Sequence, residues 1–233
     1  MGISHYDGSR YVISCGDYSF ETTVTSSGDA AADWISSVLS MDGGDSNNTI
    51  VGVDTEWVPG GAAGFPGKFQ VGVLQLCVGG RCLVFQLLHS HHLPQTLIDF
   101  LQDDRFYFIG LSIHSEFQKL SNQFPPLKVG RRVDDYRRVH DLRDLAAWAM
   151  DRQDMRQWAF KDLVREIIKG MPLEMPINII NSIWGREELE HDQIEYAALK
   201  AFASCEVGKK LIFGMGRQVE RVGKLQLASG MCE

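Results

Sequence analysis

The sequence predicts an α/β fold in which a mixed sheet is flanked by helices within a single domain. Three observations predict it. Uncharged runs rich in Val, Ile and Phe at residues 49–53 and 106–111 are typical of buried strands. A double glycine between apolar runs at 71–78 and 81–87 indicates a β-hairpin. Segments with helical spacing alternate with these strands, and no linker divides the 233 residues.

The composition is that of a globular protein rather than a disordered one. A formal net charge of −7 argues against a general nucleic-acid coat, although it does not exclude an enzyme with a carboxylate-lined site. No apolar run is long enough to span a membrane, and we expect no secretory signal at the amino terminus. The five cysteines lack metal-binding spacing, so we expect free thiols in the cytoplasm or nucleus.

The elements can be placed in order along the chain. Residues 1–17 are polar, and we expect a flexible N-terminal segment there; the domain would cover 18–214 and a basic tail 215–233. Turn and cap residues separate the predicted elements, and Pro125 ends one of the helices. Besides the strands already named, we predict strands at 18–25 and 139–141. We predict helices at 30–39, 94–101, 142–150, 160–169 and 189–213, and one that follows residues 112–116 and ends near 124.

The first buried run ends in two carboxylates, Asp54 and Glu56. Side chains two residues apart on a strand point to the same face, so both lie where open α/β sheets bind their ligands. Two close carboxylates repel each other unless a cation lies between them, and Mg²⁺ or Mn²⁺ prefers such oxygen ligands. A carboxylate pair that only caps a strand in solvent is the alternative.

Other candidate residues lie in a loop and on the last predicted helix. The loop at 128–138 is rich in basic residues, including Lys128, Arg131 and Arg132, and either contacts nucleic-acid phosphates or is simply solvated. Tyr196 and Lys200 are four residues apart and therefore share one face of the helix. Each of them, taken alone, is also common as an ordinary packing or surface residue.

Four short motifs occur in a set order along the chain. They are Val53-Asp54-Thr55-Glu56, Leu74-Gln75-Leu76-Cys77, Phe108-Ile109-Gly110 and Ile194-Glu195-Tyr196-Ala197-Ala198. In this order and spacing the motifs resemble the DnaQ-like DEDD 3′–5′ exonucleases, in the Werner-type subgroup that has a Tyr in its third motif. The resemblance covers about residues 20–211, and the small plant exoribonucleases that act on products of the RNA-silencing complex are the closest relatives it suggests.

The resemblance implies a ribonuclease-H-like fold and hydrolysis of single-stranded nucleic acid, RNA favoured, from the 3′ end. In the family, four carboxylates hold two divalent ions, Mg²⁺ or Mn²⁺, about 4 Å apart. Carried over to this sequence, Asp54, Glu56 and Glu116 are the metal-binding catalytic residues, and Tyr196 orients the attacking water. The resemblance also implies a homo-oligomer, a ring in the plant relatives, with RNA-silencing proteins as candidate partners.

The third motif departs from the family, because Lys200 stands where the fourth carboxylate is expected. A protonated lysine cannot ligate a metal ion, and like charges about 4 Å apart repel by roughly 4 kcal/mol at an effective dielectric near 20. Placed near Asp54, the ammonium of Lys200 would supply the positive charge that one metal ion supplies in the family. We therefore carry three hypotheses: first, a metal-dependent exonuclease weakened by Lys200; second, an inactive exonuclease-like protein that binds nucleic acid or a protein partner; third, a structural subunit of a hetero-oligomer.

Overall fold

The computed structural model describes residues 2–41, 49–59, 69–127 and 138–214. Within them, one sheet has the strand order β1-β2-β3-β6-β5-β4-β7-β8. The strands are β1 Gly2–Asp7, β2 Arg10–Cys15, β3 Tyr18–Thr25, β4 Thr49–Pro59, β5 Phe69–Val78, β6 Arg81–Phe85, β7 Phe106–Gly110 and β8 Val139–Asp141. The helices are α1 Gly28–Met41, α2 Gln95–Leu101, α3 Ile113–Gln123, α4 Leu142–Ala149, α5 Phe160–Ile167, α6 Ile177–Ile180 and α7 His191–Ile212.

The sheet mixes antiparallel and parallel pairing, as the sequence predicts. β4, β5 and β6 form an antiparallel meander, whereas β7 and β8 run parallel to β4 and β3 runs parallel to β6. The β5–β6 hairpin is confirmed, and both of its turn residues adopt left-handed backbone angles, φ 58° at Gly79 and 83° at Gly80. Only glycine adopts these angles without strain, which is why the double glycine sets the register of the hairpin.

Two apolar cores lie on opposite faces of the sheet. One face is covered by α4, α5, α6 and α7, and the other by α1, α2 and α3. α7 makes backbone contact with β4 at Gly52, where an added Cβ atom would lie 2.0 Å from the carbonyl oxygen of Ala201. Because α7 presents alanines to the sheet and Gly52 has no side chain, the helix lies closer to β4 than larger residues would allow. None of the described helices is long and apolar enough to cross a bilayer.

The N-terminal segment is an exception to the predictions. We predict a flexible segment at residues 1–17, but β1 and β2 extend the sheet antiparallel to β3. Ile13 and Cys15 are fully buried on the α7 side, and Phe20 stacks on Phe202 of α7 with ring centroids 4.1 Å apart. The prediction fails because the six residues of β2 show no clear alternation of apolar and polar side chains, and the surface that buries them includes residues from the other end of the chain.

Most other elements agree with the predictions. α1, α4, α5 and α7 begin and end within two residues of the predicted bounds, and α6 is an additional short helix. The four described cysteines are free and buried, as expected. Lys128, Arg131 and Arg132, most of the loop that follows β4 and the tail at 215–233 lie outside the described residues.

Candidate active site

The two carboxylates lie on the face of β4 that α7 covers. The sequence predicts that the strand ends at them, but β4 continues for three more residues to Pro59. Asp54 and Glu56 are 7% and 6% exposed, and both contact one atom, the Nζ of Lys200. This shared contact places them on the same face of β4, as their spacing predicts. Gly52, two residues before Asp54, allows the close approach of α7 that brings Lys200 to the pair.

Lys200 forms ion pairs with both carboxylates across 144 or more residues of sequence. Its Nζ contacts Asp54 Oδ2 and lies 3.2 Å from Glu56 Oε1, and its side chain is 15% exposed. Burial by itself lowers the pKa of Lys200, but the negative charges of Asp54 and Glu56 outweigh burial and raise this pKa above its usual range. The side chain is therefore a protonated ammonium that bridges the two acids.

Glu116 approaches the same strand from the opposite side. It lies in the first turn of α3, just after Ser112, whose φ of 53° makes the sharp turn out of β7. Its carboxylate accepts a hydrogen bond from the hydroxyl of Thr55 and lies 3.4 Å from the Nζ of Lys119. Since side chains alternate along a strand, Thr55 points away from the face of Asp54 and Glu56. Glu116 is thus near the carboxylate pair but is held by other groups.

Burial governs the protonation of the acidic groups. It raises the pKa of Asp54 and that of Glu56, the latter to about 7, and the charge of Lys200 works against both shifts. Burial also raises the pKa of Glu116, opposed first by its hydrogen bond with Thr55. Burial thus favours the neutral form of all three carboxyl groups, whereas the ammonium of Lys200 favours the charged form of Asp54 and Glu56.

Tyr196 lies beside the ion pairs, one turn before Lys200 on α7. Its ring centroid is 5.3 Å from the Nζ of Lys200 and 5.9 Å from the ring of Trp184. The residue is 6% exposed, and burial raises the pKa of its phenol to about 12, so the hydroxyl keeps its proton at neutral pH. Tyr196 is therefore an uncharged, buried phenol beside the Lys200 ammonium.

The residues present do not fit the pair of divalent ions that the resemblance implies. In the described part of the chain, no three His, Cys, Asp or Glu side chains are grouped so that they could hold a metal ion. The position between Asp54 and Glu56 already contains a cation, the Lys200 ammonium, and a divalent ion there would be repelled by it. Metal binding by Asp54, Glu56 and Glu116 stays a prediction.

Some residues of the site have no clear signal in the sequence. Lys119 lies over the ring of Trp57, 3.9 Å from its centroid, and pairs with Glu116. Gln75 pairs directly with Asp54 across β4 and β5; it is fully buried, and neither of its amide atoms has a hydrogen-bond partner within the described residues. A lone polar residue in an apolar strand is a usable signal for Gln75, whereas the contacts of Lys119 depend on how α3 packs.

The mixed sheet with helices on both faces, and a buried acidic pair within its interior strand β4, are features of the ribonuclease-H-like fold. Residues 23–212 match the family model described as 3′-5′ exonuclease. The chain belongs to this family, whose members depend on divalent metal ions.

Two curated proteins are similar to the chain in sequence. A 3′-5′ exonuclease of Arabidopsis thaliana is 30% identical over 176 residues, which cover 75% of this chain and 56% of that protein. Exonuclease 3′-5′ domain-containing protein 2 of Drosophila melanogaster is 28% identical over 163 residues, 70% of this chain and 25% of that protein. The matched region thus spans about half the length of the first relative and a quarter of the second.

Three solved structures share the fold. Escherichia coli RNase D has a TM-score of 0.65 and 20% identity, covering 88% of this chain and 49% of that chain. The Nibbler EXO domain of Aedes aegypti has a TM-score of 0.65 and 17% identity, covering 88% and 95%. Brucella melitensis NrnC, solved bound to pGG, has a TM-score of 0.56 and 18% identity, covering 77% and 78%. These likenesses confirm the predicted fold.

Proposed function

We propose that this chain binds the 3′ end of single-stranded nucleic acid, RNA in preference, and hydrolyses it far more slowly than a family member with four carboxylates. The observation that carries the proposal is the bridging ammonium of Lys200, which pairs with both Asp54 and Glu56. Hydrolysis by paired divalent ions requires these ions to bind the carboxylates, and the ammonium of Lys200 already occupies that space and compensates their negative charge.

The charges around Asp54, Glu56 and Glu116 support binding without added cations. A phosphodiester is negatively charged, so three carboxylates without compensation would repel it. Lys200 neutralises part of this charge on one side of β4, and Lys119, which pairs with Glu116, does so on the other. The chain thereby supplies positive charge that metal ions supply in other members of the family.

The choice of RNA rests on the relatives. RNase D is described as an exoribonuclease involved in structured RNA processing, and NrnC was solved with pGG. By analogy we propose single-stranded RNA as the ligand, with contacts from Lys128, Arg131 and Arg132. A ring of identical subunits and contacts with RNA-silencing proteins stay predictions that follow from the sequence resemblance.

A trimming and binding assay tests the proposal. The wild-type protein, Lys200→Asp and Asp54→Ala are incubated with 5′-labelled single-stranded RNA in Mn²⁺ or Mg²⁺, and binding is measured separately by fluorescence anisotropy in EDTA. We expect wild-type binding in EDTA and a trimming rate that rises on the order of 100-fold in Lys200→Asp, the size typical of one electrostatic group in an active site. A wild-type protein that does not bind RNA, or that trims as fast as Lys200→Asp, would contradict the proposal.

An active exonuclease is the second candidate. It is favoured by Tyr196, which lies beside the carboxylate pair as the family mechanism requires, and by the flexible stem of Lys200. In this case Lys200 moves aside when metal and substrate bind. The same assay separates the two candidates, because an active wild-type enzyme trims RNA at a rate that Asp54→Ala abolishes and Lys200→Asp barely changes.

A further inference from the structure

A cavity of about 640 Å³ lies between α1 and the sheet, on the face opposite the carboxylate pair. Its floor is formed by β2, β3 and β6, where Arg10 pairs with Thr23 and Glu21 pairs with Arg81. Paired residues on neighbouring strands share a face of the sheet, as do residues two positions apart along one strand. These four side chains therefore lie together on the α1 face.

One side of α1 forms the wall of the cavity. Its lining residues Ala30, Asp33, Trp34 and Ser37 have the i, i+3, i+4, i+7 spacing that places side chains on one side of a helix. Most of the indole of Trp34 is packed in the core on this face, and the residue also borders the cavity. A cavity of several hundred cubic ångströms with an aromatic wall and a few polar groups has the size and the lining of a small-molecule site.

Two of the four charged side chains in the cavity have no counter-ion. Glu21 and Arg81 lie 4.0 Å apart, at the limit of an ion pair. Within the part of the chain that the structure describes, no ion pair or side-chain hydrogen bond involves Arg10 on the floor or Asp33 on the wall. An unpaired cation and an unpaired anion on two sides of a cavity favour a ligand that carries both an anionic group and a hydrogen-bond donor.

A nucleoside monophosphate has the three groups that this lining can bind. Guanidinium groups form strong hydrogen bonds with phosphate, and indole rings stack on nucleobases. A carboxylate accepts a hydrogen bond from an exocyclic amino group, which cytosine, adenine and guanine carry and uracil lacks. A phosphate ion alone would leave Trp34 and Asp33 unused, and the carboxylates of Glu21 and Asp33 would repel it.

We infer that this cavity binds a nucleoside monophosphate whose base carries an amino group. The phosphate lies at Arg10, the face of the base lies against Trp34, and the amino group donates to Asp33. The inference does not depend on the proposed function, because the cavity lies on the other face of the sheet and β6 and β5 separate β3 from β4. The site is therefore separate from Asp54 and Glu56.

Isothermal titration calorimetry in EDTA tests the inference with cytidine monophosphate (CMP), uridine monophosphate (UMP), cytidine and inorganic phosphate. CMP and UMP are a matched pair, because they differ only at the edge of the base where cytosine carries its amino group. The proteins are wild type, Arg10→Gln, Asp33→Asn and, as the matched control, Arg165→Gln. Arg165 is 72% exposed on α5, which covers the opposite face of the sheet. Arg10 and Asp33 are exposed, so both variants should fold, and circular dichroism checks this.

We expect the wild type to bind CMP at least tenfold more tightly than UMP, cytidine or phosphate. Arg10→Gln should weaken CMP binding about tenfold, the loss typical of one charged hydrogen bond, and leave cytidine binding unchanged. Asp33→Asn should bind CMP and UMP equally, because its amide can donate to uracil as well as accept from cytosine. The control should bind all four ligands as the wild type does.

The inference is overturned if the wild type does not bind CMP, or binds phosphate or UMP as tightly as CMP. It is also overturned if Arg10→Gln binds CMP as the wild type does, because the nucleotide is then held elsewhere on the protein. A wild type that binds CMP as expected but does not bind single-stranded RNA would support this inference and contradict the proposed function.

Discussion

Replacement of Lys200 by methionine tests whether its ammonium serves as the cation of the site. Lys200→Met keeps the length of the side chain and removes its charge, which leaves two buried carboxylates without a counter-ion. At the 3.2 Å that separates Nζ from Glu56 Oε1, the attraction is roughly 5 kcal/mol at an effective dielectric near 20. The contact with Asp54 adds a similar term, and the burial of the three charges opposes both.

The net loss of stability should therefore fall in the range observed for broken buried ion pairs, about 3–5 kcal/mol. Urea denaturation followed by tryptophan fluorescence measures it as a lower midpoint at an unchanged slope. The matched control is Lys119→Met, whose side chain is 45% exposed and pairs with Glu116 at 3.4 Å. Exposed pairs contribute about 1 kcal/mol or less, so the control should remain close to the wild type.

Equal stability of the two variants would refute this reasoning. It would mean that Lys200 does not bridge Asp54 and Glu56 in solution, and the argument that its ammonium replaces a metal ion would fail with it. A loss confined to Lys200→Met would instead support the proposal that the family's metal position is filled from within the chain.

Two further predictions concern the metal position and the packing beneath it. Lys200→Asp should gain a divalent-ion site. When the Mn²⁺ concentration is 100-fold above the Kd, bound Mn²⁺ should stabilise this variant by about 2.7 kcal/mol, which thermal denaturation measures as a rise of about 5–10 °C in Tm. The Tm of the wild type should not change. An equal Tm shift in the wild type would contradict this. Gly52→Ala should lower the free energy of unfolding by about 3 kcal/mol in urea denaturation, because its Cβ would meet the backbone of Ala201 at 2.0 Å. Gly79→Ala is the comparison, because its added Cβ meets nothing within 4 Å and only its φ of 58° is strained. If Gly52→Ala is at least as stable as Gly79→Ala, α7 does not pack against β4 this closely.

The proposed function depends on Lys200 standing where the resemblance places a metal-bound carboxylate. Two mobile ions would have to be recruited from solution, whereas one ammonium is attached to α7 and is always present. Under the proposed function, the site keeps this cation without divalent ions, which favours binding of a nucleic-acid end over activation of water.

Several features of this protein follow from the sequence alone, because they depend on neighbouring residues. The hairpin between β5 and β6 follows from two glycines, which adopt left-handed angles that other residues avoid. The shared face of Asp54 and Glu56 follows from the period of two along a strand, and the position of Lys200 one turn after Tyr196 follows from the period of the helix. The fold class could be predicted for the same reason, since each element has its own pattern of apolar residues.

The tertiary structure decided which distant groups meet. The contact of Lys200 with Glu56 joins residues 144 positions apart, and it exists because Gly52 lets α7 approach β4 at backbone distance. In the same way β2 is part of the sheet because it pairs with β3 and buries Ile13 and Cys15 in the core that α7 shares, which its six residues alone do not predict. Local patterns specify which face a side chain lies on, but only the packing of separate elements determines whether a buried carboxylate pair faces a metal ion or an ammonium from within the chain.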